Sequence, residues 1–175
     1  MKIWWQVDIQ LYYQIAFARH SIKYLKKDES ELNLISVFFH IQTVLTSIAN
    51  ISKVLQRSEE YREYLDVQLD LVPNIMDRRI RNINEHIDEQ IFSEECLSSA
   101  SSDIGYGSFD ISELDIPTQI RHFNVKEKTI QFRDKDKSYH NVRLTSIEKE
   151  LRYLLKLEPI RYAYERYRGY DKIEI

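Results

Sequence analysis

Apolar residues in the first part of the chain recur at Trp4, Leu11, Ile15, Ala18, Ile22 and Leu25, a spacing of three and four that draws one stripe on a helix. The pattern predicts a first helix over about 5–27. Asp28 and Glu31 have the spacing of a capping box, and Leu34, Phe38, Ile41, Leu45, Ile48 and Leu55 then repeat at heptad-like intervals. A second long helix is predicted, antiparallel to the first because the connection is short. Residues 58–70 (SEEYREYLDVQLD) read as a short helix or an irregular bridge. Pro73 suits the first turn of a third helix running to about Phe92, in which Val72, Met76, Ile80, Ile83, Ile87 and Ile91 share roughly 100° of arc.

The pattern changes over 93–117, where Ser, Asp and Gly dominate; this segment reads as a loop, and its GYG as a turn. Over 118–144 the period becomes two. Phe123 and Val125, then Ile130 and Phe132, then His140, Val142 and Leu144 form short runs separated by KEK and DKDK, which predicts a small antiparallel β element. Thr145 and Glu148 have capping-box spacing and open a fourth helix through Leu151, Leu154 and Leu155, disturbed at Pro159 and followed by RYAYERYRGY. The fold expected is mainly α: a four-helix bundle, one domain over 1–175, with a small antiparallel β insertion at 118–144 between the third and fourth helices.

Composition supports this. A chain of 175 residues, 43% apolar and 30% charged, is long enough to bury a core without disulfides or a structural metal. Three glycines and three prolines are few breaks, which favours long helices. The single cysteine, Cys96, excludes an internal disulfide and fits a reducing cytosol. At the N-terminus Gln6, Asp8 and Gln10 interrupt the apolar run before it reaches the length of a signal peptide or span, and no other segment reads as a span. A cytoplasmic protein is expected. The formal charge of -3 argues against nonspecific coating of nucleic acid and leaves room for a local basic site.

The chemistry concentrates in the third helix, where residues 77–91 read DRRIRNINEHIDEQI. His86 falls at a flank of the apolar stripe, Asn82 lies one turn before it, and Arg81 is rotated from it by about 140°. One chain does not easily aim Arg81 and His86 at one point. Two copies meeting about a two-fold axis would bring an Arg from one and a His from the other together. The same string also suits a solvated face, since Arg81 with Glu85 and Arg78 with Asn82 are one-turn neighbours.

Arg81-Asn82, three intervening residues and His86, on the third helix of a helical bundle, resemble the signature of the HEPN superfamily. The resemblance implies a dimeric, metal-independent endoribonuclease whose motif residues face one another across a cleft. Arg81 would then hold the scissile phosphate, Asn82 orient it, and His86 assist attack by the ribose 2′-hydroxyl or protonate the leaving oxygen. Arg78 and Arg79 would bind RNA and offset the negative charge of Glu85, Asp88 and Glu89. Neither a cofactor nor a metal is implied; the implied partners are RNA, a second copy, and an antitoxin or other protein, as for toxins and defence proteins of the superfamily. Many of those toxins carry a Tyr two residues after the His for modification by a nucleotidyltransferase; here that position is Asp88. Other members of the superfamily are noncatalytic interaction or nucleotide-binding modules, which is the alternative expectation.

The remaining histidines, His20, His40, His122 and His140, lack the local spacing of metal ligands and read as structural. Arg161, Arg166 and Arg168, interleaved with Tyr162, Tyr164, Tyr167 and Tyr170, have the composition of a base-stacking strip. A helix end whose tyrosines pack on the bundle is the preferred reading, because Glu165 and Asp171 dilute the charge.

Overall fold

The computed structural model describes residues 4–85, 104–110, 112, 121–133 and 138–167. Helix α1 spans Trp5–Leu25 and buries its predicted stripe from Leu11 to Leu25. Helix α2 spans Leu34–Arg57 and is the principal partner of α1. Its cap is not Asp28. Residues Glu29–Glu31 form a 3-10 turn, the chain stays extended at Leu32 and Asn33, and the Asn33 side chain accepts from the Ser36 N–H at 2.9 Å. The buried stripe shifts with the cap: Val37, Ile41, Val44, Leu45, Ile48, Ile51 and Leu55 are buried, while Leu34 and Phe38 are exposed. By length and composition α2 is apolar enough to cross a membrane, a property the sequence reading had found in no segment; in this fold half of its apolar window is buried against protein.

Helix α3 spans Glu59–Leu65, with Ser58 Oγ accepting from the Tyr61 N–H at 3.1 Å as its cap. It is tied to α1 through buried Asp8, which accepts from Tyr61 Oη at 2.7 Å and Tyr64 Oη at 3.0 Å. After a 3-10 turn at Leu69–Leu71, the predicted third helix is broken in two: α4 spans Pro73–Met76 and α5 spans Arg78–Glu85. The break is Asp77, extended at φ -65° and ψ 115°, whose Oδ1 accepts from the Arg79 N–H at 2.9 Å and so caps a new helix. The first turn of α4 has its own acceptor from far along the chain: Glu150 receives the N–H groups of Asn74 at 3.1 Å and Ile75 at 2.9 Å, and the Asn74 side-chain amide. The predicted continuation over 86–92 lies outside the described residues.

Four strands follow, β1 (Ile104–Gly107), β2 (Arg121–Asn124), β3 (Thr129–Arg133) and β4 (Tyr139–Arg143), in the order β1-β2-β3-β4. Strands β2, β3 and β4 form the predicted antiparallel meander. Strand β1 pairs parallel to β2, so IGYG is a strand and the sheet begins ahead of residue 118. Its glycine serves packing. A Cβ at Gly107 would stand 2.7 Å from the Phe109 ring, which folds back over the strand.

Pleating divides the sheet. Phe123, Ile130, Phe132 and Val142 share one face and join the helical core. On the other face His122, Asn124 and Gln131 are buried yet polar, and the carbonyl of Phe109 satisfies two of them, accepting from Asn124 Nδ2 and meeting His122 Nε2, each at 3.1 Å.

Strand β4 runs directly into α6 (Leu144–Leu154), whose cap position falls on Arg143. Thr145 is therefore already inside the first turn and makes no capping box, and Glu148 pairs instead with Lys26 and Arg152. Helix α7 (Glu158–Tyr167) begins with Pro159 in its first turn, where no N–H is required. Of the tyrosines expected to pack on the bundle, Tyr164 does so, against buried Tyr12 at 5.7 Å, whereas Tyr162 is exposed and meets Trp5 only edge-on at 6.1 Å, with Arg166 over the Trp5 ring at 5.0 Å; the side chain of Tyr167 and the whole of Tyr170 lie outside the described residues. The chain is thus mainly helical with a small four-stranded sheet.

Candidate functional site

The break at Asp77 sets the geometry of the α5 start. The Asp77 carboxylate holds the Arg79 guanidinium in two places, Nε at 3.0 Å and Nη2 at 2.6 Å. Burial acts to raise the Asp77 carboxyl, but the hydrogen bonds and charge of Arg79 outweigh it and hold the group below the usual carboxylate range. Held in this way, Arg79 presents Nη1 to His140 Nδ1 on β4, 3.1 Å away, and His140 Nε2 lies 3.0 Å from Ser138 Oγ. A guanidinium only donates, so Nδ1 must accept; the imidazole is then the neutral tautomer with its proton on Nε2, donated to Ser138.

The sheet places His140. Strand register aligns Arg121, Phe132 and His140 in one row across β2, β3 and β4, on the face that packs toward the helices. With strands roughly 4.8 Å apart, this row sets Arg121 and His140 about 10 Å from each other. At one end Arg121, only 2% exposed, donates from Nη1 to Gln42 Oε1 at 2.6 Å and lies over the Phe38 ring of α2 at 5.3 Å. At the other end His140 leans on Phe132, with ring centroids 5.4 Å apart, and meets α5. A guanidinium and an imidazole therefore stand along the rim of the sheet, one beside α2 and one beside α5.

Against this frame the predicted residues separate. Arg78 and Asn82 are exposed, one turn apart on α5, on the side opposite buried Ile80. Arg79 is engaged with Asp77 and His140 rather than held out alone. Arg81 belongs to α5, but its side chain, like the whole of His86, lies outside the described residues. Sequence reasoning set His140 aside as structural and did not consider Arg121. The alternation 121/123, 130/132, 140/142 would have put both on one face; it carries no information about which helix each would meet.

Two other histidines are held inside the fold. His40 Nδ1 lies 3.1 Å from Ser21 Oγ, with its ring stacked on Tyr24 at 4.1 Å, and His122 lies against Phe109. Burial pushes both imidazoles below their ordinary range, helped at His40 by His20 and Lys27 and opposed at His122 by its hydrogen bonds and Asp110. No family model matches this chain, and no curated protein or solved structure matches it.

Proposed function

We propose that this chain is a HEPN-like, metal-independent endoribonuclease of the cytoplasm that acts on RNA as a homodimer. The observation that carries the reading is the Arg81-Asn82-x3-His86 string beginning on a helix whose Asn82 and Arg78 face solvent while Ile80 anchors it in the core. In this reading Arg81 grips the scissile phosphate, Asn82 orients it, and His86 moves the proton at the 2′-hydroxyl or the leaving oxygen. Arg78 and Arg79 supply positive charge along the path of the strand. The bundle would be of the HEPN type, with α4 and α5 together as its third helix.

A second copy fits an apolar face of α2, the helix on which α5 packs. Leu34, Ile35, Phe38 and Phe39 form a stripe over the first two turns of α2, with Ile35 82% and Phe39 61% exposed. Such a run is more than scattered surface apolarity, and pairing it with its own copy removes it from water. In EDTA the purified protein should cleave an RNA reporter and leave a 2′,3′-cyclic phosphate, the product of internal attack by the 2′-hydroxyl. His86→Ala should lower the rate by about 10²-fold or more, the usual worth of a general acid–base, at unchanged circular dichroism and sedimentation. Equal cleavage by the variant overturns the assignment. A chain inert toward RNA that still captures a nucleotide or a protein partner would be a noncatalytic module instead.

A further inference from the structure

The formal charge of -3 is unevenly spread over the molecule. Arg19, Lys23 and Lys26 lie within about 60° of arc along α1, and Lys149 and Arg152 do the same on α6, with Lys156 in the turn that follows. The two rows adjoin, because Lys26 meets Glu148, which also takes Arg152 Nη2 at 2.7 Å. One carboxylate is thus shared between two of six cations. Burial first, then the like charge of Arg152, presses Arg19 below the ordinary guanidinium range, and Glu148 does not offset them. Lys149 and Lys156 are exposed and make no ion pair among the described residues. With Arg152 they line a hollow of about 300 Å³ on the outer face of α6.

Lys156 also borders a second, larger cleft of about 580 Å³, between the end of α3 and the start of α7. That volume is within the range of small-molecule sites. Two aromatic rings wall it. Tyr64 is held through its hydroxyl on buried Asp8 and stays 45% exposed; Tyr162 touches Trp5 by an edge and is 56% exposed. Three carboxylates border the cleft as well: Glu165, 3.9 Å from Arg161, and Asp66 and Glu158. The hollow therefore favours phosphate, and the cleft favours a flat ring with amino groups at its edge.

We propose that a single strand of nucleic acid lies along this face, its phosphates on Lys149, Arg152 and Lys156 and one base stacked on Tyr162 in the cleft. Cations that track a backbone beside an aromatic platform are what such a strand requires, and the carboxylates accept from the amino groups of a base. The same carboxylates would repel an anionic bilayer or an acidic peptide seated across the cleft. The face is on the side of α6 turned away from Glu150, which holds α4, so the inference goes beyond the nuclease reading and uses none of its residues.

Short labelled oligo(dT) is the direct probe, because a strand without 2′-hydroxyls can be bound but not cut by the chemistry proposed for His86. Fluorescence anisotropy should show binding that weakens linearly as log Kd against log salt. Lys149→Gln combined with Lys156→Gln should weaken binding at least tenfold at low salt and lower that slope by about 1.4, the loss of two phosphate contacts. Tyr162→Leu, which keeps an apolar side chain against Trp5, should weaken binding about tenfold with the slope unchanged, and should have no effect on an abasic strand. With circular dichroism unchanged, undiminished binding in either variant, or no binding of oligo(dT) by the parent, overturns the proposal. Capture of phosphatidylserine vesicles without oligo(dT) binding overturns it too and makes the face a membrane contact. His86→Ala should bind oligo(dT) as the parent does; loss there would put the strand at α5 instead. A parent that binds oligo(dT) yet cuts no RNA would sink the nuclease reading and keep this one.

Discussion

The α1–α2 pair and the corner where α4, α5 and β4 meet are held by opposite kinds of force. Between α1 and α2 the core is mostly apolar and recurs turn after turn, with Leu11, Ile15, Ala18, Ile22 and Leu25 of α1 and Val37, Ile41, Val44, Leu45 and Ile48 of α2 all buried, and with the His40–Ser21 contact as a buried polar exception. At the corner polar joins made by a few side chains add to the packing: Glu150 on Asn74 and Ile75, Asp77 on Arg79, Arg79 on His140. Apolar packing is non-directional and tolerates small shifts, whereas a hydrogen bond fails within an ångström of misplacement. The first region therefore fixes that the chain folds, and the second fixes where its charged side chains point.

The largest effect should come from the apolar region. Leu45 is fully buried in α2, and Leu45→Ala should cost about 2–5 kcal/mol, the transfer of the lost methyl groups plus the cavity left behind. Urea unfolding should show a lower midpoint at unchanged slope. A loss below about 1 kcal/mol would mean that α1 and α2 close the gap, so that this packing is looser than the burial of Ile41, Leu45 and Ile48 indicates.

That contrast also explains what could be read from the sequence. The stripes of α1 and the second half of α2, the period-two runs of β2 to β4 and the packing of Tyr164 on α7 follow from local spacing, because each element buries one face whatever it packs against. The first turns of α2 did not, since Asn33 rather than Asp28 caps the helix and rotates Leu34 and Phe38 outward. The break at Asp77 was hidden inside a good apolar stripe: Val72, Met76 and Ile80 keep helical spacing across it, and the acceptor that ends α4's isolation, Glu150, stands 76 residues from Asn74. The sheet strand at IGYG was hidden by its glycines, which read as a turn until the Phe109 ring is seen to need the space. At the candidate site, α5 and its Arg/Asn pattern were legible; the approach of His140 was not, because nothing local couples β4 to α5.

A middle-sized effect is expected from Glu150. Its two oxygens receive two backbone N–H groups and an amide in a partly buried turn, and Glu150→Ala leaves those donors without their acceptor. The cost should be about 1–3 kcal/mol, set by the desolvated donors more than by the bonds themselves. Hydrogen exchange should localise it: the amides of Asn74 and Ile75 should lose protection ahead of those in α1 and α2. Uniform loss across all helices would instead show that the corner and the α1–α2 pair unfold as one unit, and the contrast between them would be one of chemistry only.

The smallest effect is a pH dependence, and it sets the α1–α2 pair beside a third region, the polar face of the sheet: His40 lies between α1 and α2, and His122 on β2, away from the corner. Burial lowers both imidazoles in the folded state, so the unfolded chain takes up their protons first as the solution is acidified. Stability is then complete above the ordinary imidazole range near ~6.5 and falls as pH drops below it, by up to about 1.4 kcal/mol per pH unit for each group until the folded form protonates too. Asp8, raised chiefly by burial, carries the opposite sign, since its folded form takes the proton first on acidification. Single substitutions isolate the histidine terms: the slope of unfolding free energy between pH 7.5 and 5.5 should be shallower in His122→Gln and in His40→Gln than in the parent. Asp77, held below the usual carboxylate range, contributes only below that window, where Arg79 loses its clamp. If the slope is unchanged in both variants, neither histidine is desolvated enough to titrate late, and the polar face of the sheet must admit water beside the Phe109 carbonyl.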